Sequence, residues 1–162
     1  MSIFSLVKEA AGDEPRSFGW YRDNVKTLFK ISDLYADLVQ QEETLNPVPG
    51  QLYMFEYQAV YAARLNFYDR FPLVYITGGG DPFRGINLHY LALRPRLNLV
   101  LNLENGVLAG VPKRAYHNYL LKGLETPLYL INSDDYRTAA FLPVEDFGGT
   151  SKTAVWNGAQ QQ

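Results

Sequence analysis

Gln51-Leu-Tyr-Met-Phe-Glu-Tyr57 alternates with a period of two: Leu52, Met54 and Glu56 fall on one side, Tyr53, Phe55 and Tyr57 on the other. Successive side chains of a strand point to opposite faces, so alternating β-formers predict a strand here. Upstream, Asn46-Pro-Val-Pro-Gly50 halts any preceding helix, because prolines lack the amide donor and restrict their neighbours. Downstream, Phe71-Pro-Leu-Val-Tyr-Ile-Thr77 reads as a second strand, with Pro72 at its start or on an edge. Gly78-Gly-Gly-Asp-Pro82 is a turn, and Phe83 to Leu91 a third strand in which Gly85 marks a bulge or a close backbone approach. So short a connection predicts an antiparallel hairpin.

The flanks read differently. Residues 2–11 suit a short amphipathic helix carrying Ile3, Phe4, Leu6 and Val7. Trp20, Tyr21, Val25, Leu28, Phe29 and Ile31 have helical spacing, and Ser32 is placed to cap a further helix through Leu34, Tyr35, Leu38 and Val39 that ends at Gln40–Glu43. Leu97, Leu99, Val100, Leu101 and Leu103 form a run that periodicity assigns equally to helix or strand. Ala115, Tyr116, Tyr119 and Leu120 suit a helix face closed by Gly123. Leu128–Ile131 is a short strand, and Ser133 caps a helix buried through Tyr136, Ala139, Ala140 and Phe141 and ended by Pro143. The expected fold is α+β: a small antiparallel β-sheet or partly open barrel flanked by N-terminal and C-terminal helices. Residues 1–50 form a helical docking arm, 51–147 a single core domain, and 148–162 an extended tail.

Composition narrows the chemistry. The 162 residues contain no cysteine, which excludes disulfides, cysteine-ligated zinc, iron–sulfur clusters and a thiol nucleophile. Two histidines, His89 and His117, leave little for imidazole catalysis or metal binding. A formal net charge of −2 gives no overall attraction to nucleic acid or to a membrane surface. No apolar run approaches the ~18 residues of a membrane-spanning helix, and the N-terminus lacks the basic region of a secretory signal. Aromatics, at 12 Tyr, 9 Phe and 2 Trp, are the unusual feature.

Gly78-Gly79-Gly80 is not followed by Gly-Lys-Ser/Thr or by a helix, so it reads as a hairpin turn rather than a phosphate cradle. Asp69 and His89 could pair as acid and base, but no nucleophile is placed beside them, and a histidine bonded to backbone is the simpler reading. His117 reads as solvated. Asp134-Asp135 is explained by the first turn of a helix. No catalytic, cofactor-binding or metal-ligating set emerges, and a non-enzymatic protein is expected. Basic residues are concentrated between Arg64 and Lys122, with only Asp69, Asp81 and Glu104 as acids in that interval. Arg64, Arg70, Arg84, Arg94 and Arg96 are the candidate nucleic-acid contacts, beside tyrosines that could stack on bases. Arg84-Gly85-Ile86 breaks the Lys/Arg-Gly-Phe pattern of RNA-stacking modules. Trp20, Tyr21, Tyr53, Phe55, Phe71 and Tyr90 are the candidate packing or interface anchors, since Tyr and Arg are favoured at protein interfaces.

Gly50–Tyr57, Leu65–Val74 and Gly85–Leu91, with Phe141–Phe147 and Ala154–Trp156, together resemble a family of small proteins from T4-like, contractile-tailed bacteriophages. The resemblance implies a virion-associated protein; members are described as phage structural proteins and sometimes as DNA-end protectors. The expectation is therefore a structural subunit of the tail, baseplate or neck. It would be assembled in the bacterial cytoplasm, present in multiple copies and held by contacts to other phage structural proteins. A DNA-end or single-strand DNA-binding protein of the head or neck is the alternative, and a cell-wall hydrolase a second.

Overall fold

The computed structural model describes residues 2–34, 43–44 and 46–160, with the side chains of 31–34 and 43–44 left aside. Among the described residues, six strands make one open antiparallel sheet: β1 (Glu43–Thr44), β2 (Leu52–Met54), β3 (Leu73–Gly78), β4 (Phe83–Asn87), β5 (Tyr116–Tyr119) and β6 (Leu128–Ile131). Their spatial order is β1-β6-β2-β3-β4-β5, so β1 and β5 are the edges and the barrel alternative does not form. The helices are α1 (Ile3–Ala11), α2 (Phe18–Leu34), α3 (Leu93–Glu104), α4 (Tyr136–Phe141) and α5 (Lys152–Trp156). Among the described residues, none is long and apolar enough to cross a membrane.

The two-residue period sorts the sheet into two cores. Leu52, Met54, Leu73, Ile86, Tyr129 and Ile131 pack on the helical side with Ile3, Phe4, Val7, Val25 and Phe29. Tyr53, Phe55, Tyr57, Val74, Ile76, Phe83, Tyr119 and Leu128 build a second, aromatic cluster on the other side. Edge-to-face geometry dominates there, as ring quadrupoles favour: Phe55 meets Tyr119 at 5.4 Å and Tyr57 meets Tyr119 at 5.1 Å. A sheet covered on both faces explains why polar residues are scarce in its central strands.

The first helix begins where Ser2 Oγ accepts the Ser5 amide at 3.2 Å, and buries Ile3, Phe4, Val7 and Ala11 in the main core. Ser17 Oγ accepts the Trp20 amide at 3.1 Å and starts α2, which runs unbroken through Ser32. Ser32 therefore does not cap a new helix; the internal cost of a serine is small beside the packing of Val25 and Phe29. The continuation expected through Tyr35, Leu38 and Val39 lies outside the described residues, but its expected end at Glu43 is not helical: Glu43 and Thr44 form β1, paired with β6. The ambiguous leucine run is helical: α3 buries Leu99, Val100 and Leu103, and Pro95 sits in its first turn, where no amide donor is needed. The helix expected over Ala115–Leu120 is instead strand β5. Pairing Phe83 with Tyr119 and Ile86 with Tyr116 satisfies its backbone and drops Tyr119 into the aromatic cluster. The third strand ends at Asn87, whose side chain accepts the His89 amide and starts a 3-10 turn over Leu88–Tyr90. The segment expected as an extended tail holds α5, capped by Ser151 Oγ on the Ala154 amide at 3.1 Å and anchored by buried Val155.

The hairpin between β3 and β4 forms as expected, with the register shift on β3 between Ile76 and Gly78. Gly85 is the close approach: a Cβ there would collide with the Tyr75 carbonyl oxygen and Val74 Cγ1. Gly85→Ala is expected to lose on the order of 1–3 kcal/mol through overpacking, read as a lower urea midpoint with an unchanged slope. A midpoint equal to that of the native protein would show that the hairpin spreads to admit a methyl group.

Candidate nucleic-acid interface

A buried polar cluster lies where the chain enters β3 and leaves β4. Asp69 is 3% exposed and its carboxylate accepts four hydrogen bonds. Oδ1 takes the amides of Phe71 at 3.0 Å and Asp146 at 3.1 Å; Oδ2 takes Asn87 Nδ2 at 3.0 Å and His89 Nδ1 at 2.6 Å. Burial by itself raises the Asp69 carboxyl, but the His89 charge and these donors outweigh it and hold it below the ordinary carboxylate range. The two residues imagined as an acid–base pair thus meet, but His89 is wholly buried, so a substrate has no route to its ring. It is bonded to a carboxylate rather than to backbone.

Arg96 sits beside this cluster at 0% exposure. Its Nε and Nη2 donate to the Leu91 carbonyl at 3.2 and 2.9 Å, and Nη1 donates to the Ala140 carbonyl at 2.8 Å, with Glu145 Oε2 at 3.7 Å. Arg96 is consequently not a DNA contact. Its planar fork ties α3 to α4, a task a flexible ammonium would not match. Trp156 Nε1 donates to the His89 carbonyl at 2.9 Å and brings α5 onto the same cluster.

Above the cluster lies a cleft of about 610 Å³ walled by Tyr57, Tyr61, Tyr68, Tyr90, Tyr116 and Tyr119. Its parts come from β5, the chain between β2 and β3 on either side of the 3-10 turn Ala62–Arg64, and the 3-10 turn ending at Tyr90. Tyr57, Tyr90 and Tyr119 form its floor, and burial pushes their hydroxyls upward, so they stay neutral. Tyr61 and Tyr116 are its rim, 56% and 44% exposed. His117, expected to be solvated on a helix, is half-buried in β5 with its ring 4.1 Å from that of Tyr90. Burial lowers its imidazole to about 4, against a hydrogen bond to the Arg114 carbonyl that works the other way. That bond engages one ring nitrogen; the other, Nε2, has no hydrogen-bond partner.

The remaining candidate arginines are at the surface but not all together. Arg64 is exposed and lies 5.3 Å from the Tyr61 ring centroid, at the cleft rim. Arg84 is exposed and pairs across the ladder with Asn118 of the cleft wall. Arg114, which donates to the Trp156 carbonyl at 3.1 Å, and Lys122 flank β5 and are also exposed. Arg94 belongs to a separate groove with Asn98 and Asn102. Arg70 is paired with Asp146 at 2.9 Å. Of the aromatic anchors, Tyr53, Phe55, Phe71 and Tyr90 are core, whereas Trp20 and Tyr21 are half-buried against it. The cleft tyrosines 57, 61, 68, 116 and 119 are the residues sequence reasoning did not single out. Their only signal is local tyrosine density, and the fold gathers them, with Tyr90, from three separated segments. Among the described residues no group of three His, Asp or Glu side chains is arranged to hold a metal ion.

Burial of His117 makes stability depend on pH. An imidazole that takes up a proton near 6.5 when unfolded but only near 4 when folded gives stability that is complete above 6.5 and lost as pH falls towards 4. The loss over that window is up to roughly 3 kcal/mol. His117→Asn is expected to flatten that part of a urea-midpoint-against-pH curve, and NMR titration of His117 should show a neutral ring at pH 6. A ring that protonates near its ordinary value would refute this assignment.

Comparison with known proteins adds one finding to this geometry. A family model described as phage T4 terminal DNA protecting protein matches residues 5–109, from α1 to just beyond α3. No curated protein and no solved structure gives a significant match. The matched span contains Tyr57, Tyr61, Tyr68 and Tyr90 of the cleft, the Asp69–His89 pair, and Arg64, Arg84 and Arg94. With well over half of its length matched, the chain belongs to the phage T4 terminal DNA protecting protein family.

Proposed function

We propose that this phage protein is a non-enzymatic component of the virion that binds the ends of the phage DNA. Membership of a family described by terminal DNA protection carries the reading. Exposed Arg64, Arg84 and Arg94 within the matched span agree with it, since arginine supplies phosphate contacts. A net charge of −2 means that attraction is local to exposed arginines, with Arg64 beside the cleft tyrosine Tyr61 and Arg94 in a separate groove, and is not global. The family description favours DNA-end binding over the tail, baseplate or neck role expected first, and lends no support to cell-wall hydrolysis.

The test compares a duplex with open ends against the same duplex closed at both ends by hairpin loops. Anisotropy should show binding to the open form that weakens steeply with salt, and the bound ends should resist a processive exonuclease. Arg64→Ala and Arg84→Ala should each weaken binding and reduce the salt slope by about one for every phosphate that is no longer neutralised. Arg137→Ala, which removes an ion pair to Glu104 at 2.9 Å on the helical side, should leave it unchanged. Equal affinity for closed and open DNA, or no binding at low salt, rejects the proposal.

A further inference from the structure

We infer that the tyrosine-walled cleft beside β5 is a stacking site for unpaired nucleobases at a DNA terminus, so that the protein prefers ends carrying a single-stranded overhang to blunt ends. The inference rests on the end-binding proposal and goes beyond it by assigning a place and a substrate form.

Shape is the first argument. At about 610 Å³ the cleft has the dimensions of a small-molecule site. A flat base enters such a space, and a base pair held within a duplex does not. Chemistry is the second. Every nucleobase presents a π-face, and stacking on aromatic side chains is the sequence-tolerant way to hold single strands. Tyr61 and Tyr116 leave 56% and 44% of their surface exposed, far more than packing requires, while Tyr57 and Tyr119 behind them are fixed by edge-to-face contacts. Because β5 is an edge strand among the described residues, backbone donors and acceptors along its outer side have no sheet partner there. With the Asn118 amide they offer hydrogen bonds to base edges.

Charge placement is the third. The cleft interior holds one charge, the Asp69 carboxylate at its base, and that is enclosed by four donors; the rest of its lining is aromatic, apolar or amide, with the neutral His117 ring. Cations stand outside, with Arg64 against Tyr61 and with Arg114 and Lys122 at the two ends of β5. Asp81 is the nearby counter-charge, and its Oδ1 accepts the Leu121 amide at 3.0 Å. An aromatic interior whose one carboxylate is enclosed by donors, with basic residues outside, is the arrangement that seats a base while its phosphates remain in water against arginine. The partnerless His117 Nε2 lies in the same wall.

The experiment uses the full chain and DNA hairpins with one open end, either blunt or extended by four unpaired 5′ or 3′ nucleotides, with 2-aminopurine as the last unpaired base. The native protein should bind one extended form roughly tenfold or more tightly than the blunt form, and stacking should quench the 2-aminopurine emission. The double variant Tyr61→Ala/Tyr116→Ala should lose both the overhang advantage and the quench. Tyr61→Phe/Tyr116→Phe, which keeps the ring faces, should retain them. Both positions are exposed, and unchanged thermal unfolding of each variant establishes that the fold is intact. Blunt-end binding without an overhang preference, or a quench that survives the alanine pair, overturns the cleft assignment and leaves the end-binding proposal standing. Failure to bind any open end overturns both.

Discussion

The Asp69 carboxylate is the point on which the assembly of this chain turns. Its four hydrogen bonds come from the approach to β3 through Phe71, from β4 through Asn87, from the following 3-10 turn through His89, and from the C-terminal segment through Asp146. A carboxylate removed from water requires compensation of this order, because desolvation of a lone charge costs several kcal/mol. The partners are in turn committed. Asn87 Oδ1 receives the amides of Leu73 and His89, and the His89 carbonyl receives Trp156 Nε1. Arg96 fastens α3 to α4 next to it. The polar cluster therefore specifies one arrangement of segments that apolar packing alone would allow to slide.

The two sides of the sheet have different tasks. The helical side buries the larger apolar cluster, and α1 and α2 complete it with Ile3, Phe4, Val7, Val25 and Phe29. The other side is aromatic and is covered by the chain between β2 and β3 and between β5 and β6, which holds 3-10 turns but no α-helix. Irregular cover leaves a concavity where helices would have closed it. The tyrosines that outnumber what the core needs line that concavity, with their hydroxyls and ring faces directed by neighbours fixed in the cluster below. The exposed arginines around it supply positive charge that the net composition conceals.

What the sequence by itself determined follows from short-range rules. A two-residue period over 51–57, the glycine–proline turn before Phe83, and helical spacing over Ile3–Val7 and Trp20–Phe29 specify strand, hairpin and helix, because periodicity and turn chemistry act within a few residues. The family motif Gly50–Tyr57 lies in the first of those segments and was legible for the same reason. Tertiary pairing decided the rest. Tyr116–Tyr119 has the residues of an amphipathic helix face but becomes a strand, since β4 offered an unsatisfied edge and the aromatic cluster a place for Tyr119. Arg96, one arginine among several in a basic stretch, is core because carbonyls of Leu91 and Ala140 converge on it. Asp69 and His89, twenty residues apart, meet only when the hairpin closes. The cleft draws on the chain after β2, the turn after β4 and β5, so no local pattern announces it. Its existence depends on long-range contacts that a sequence encodes only through the whole fold.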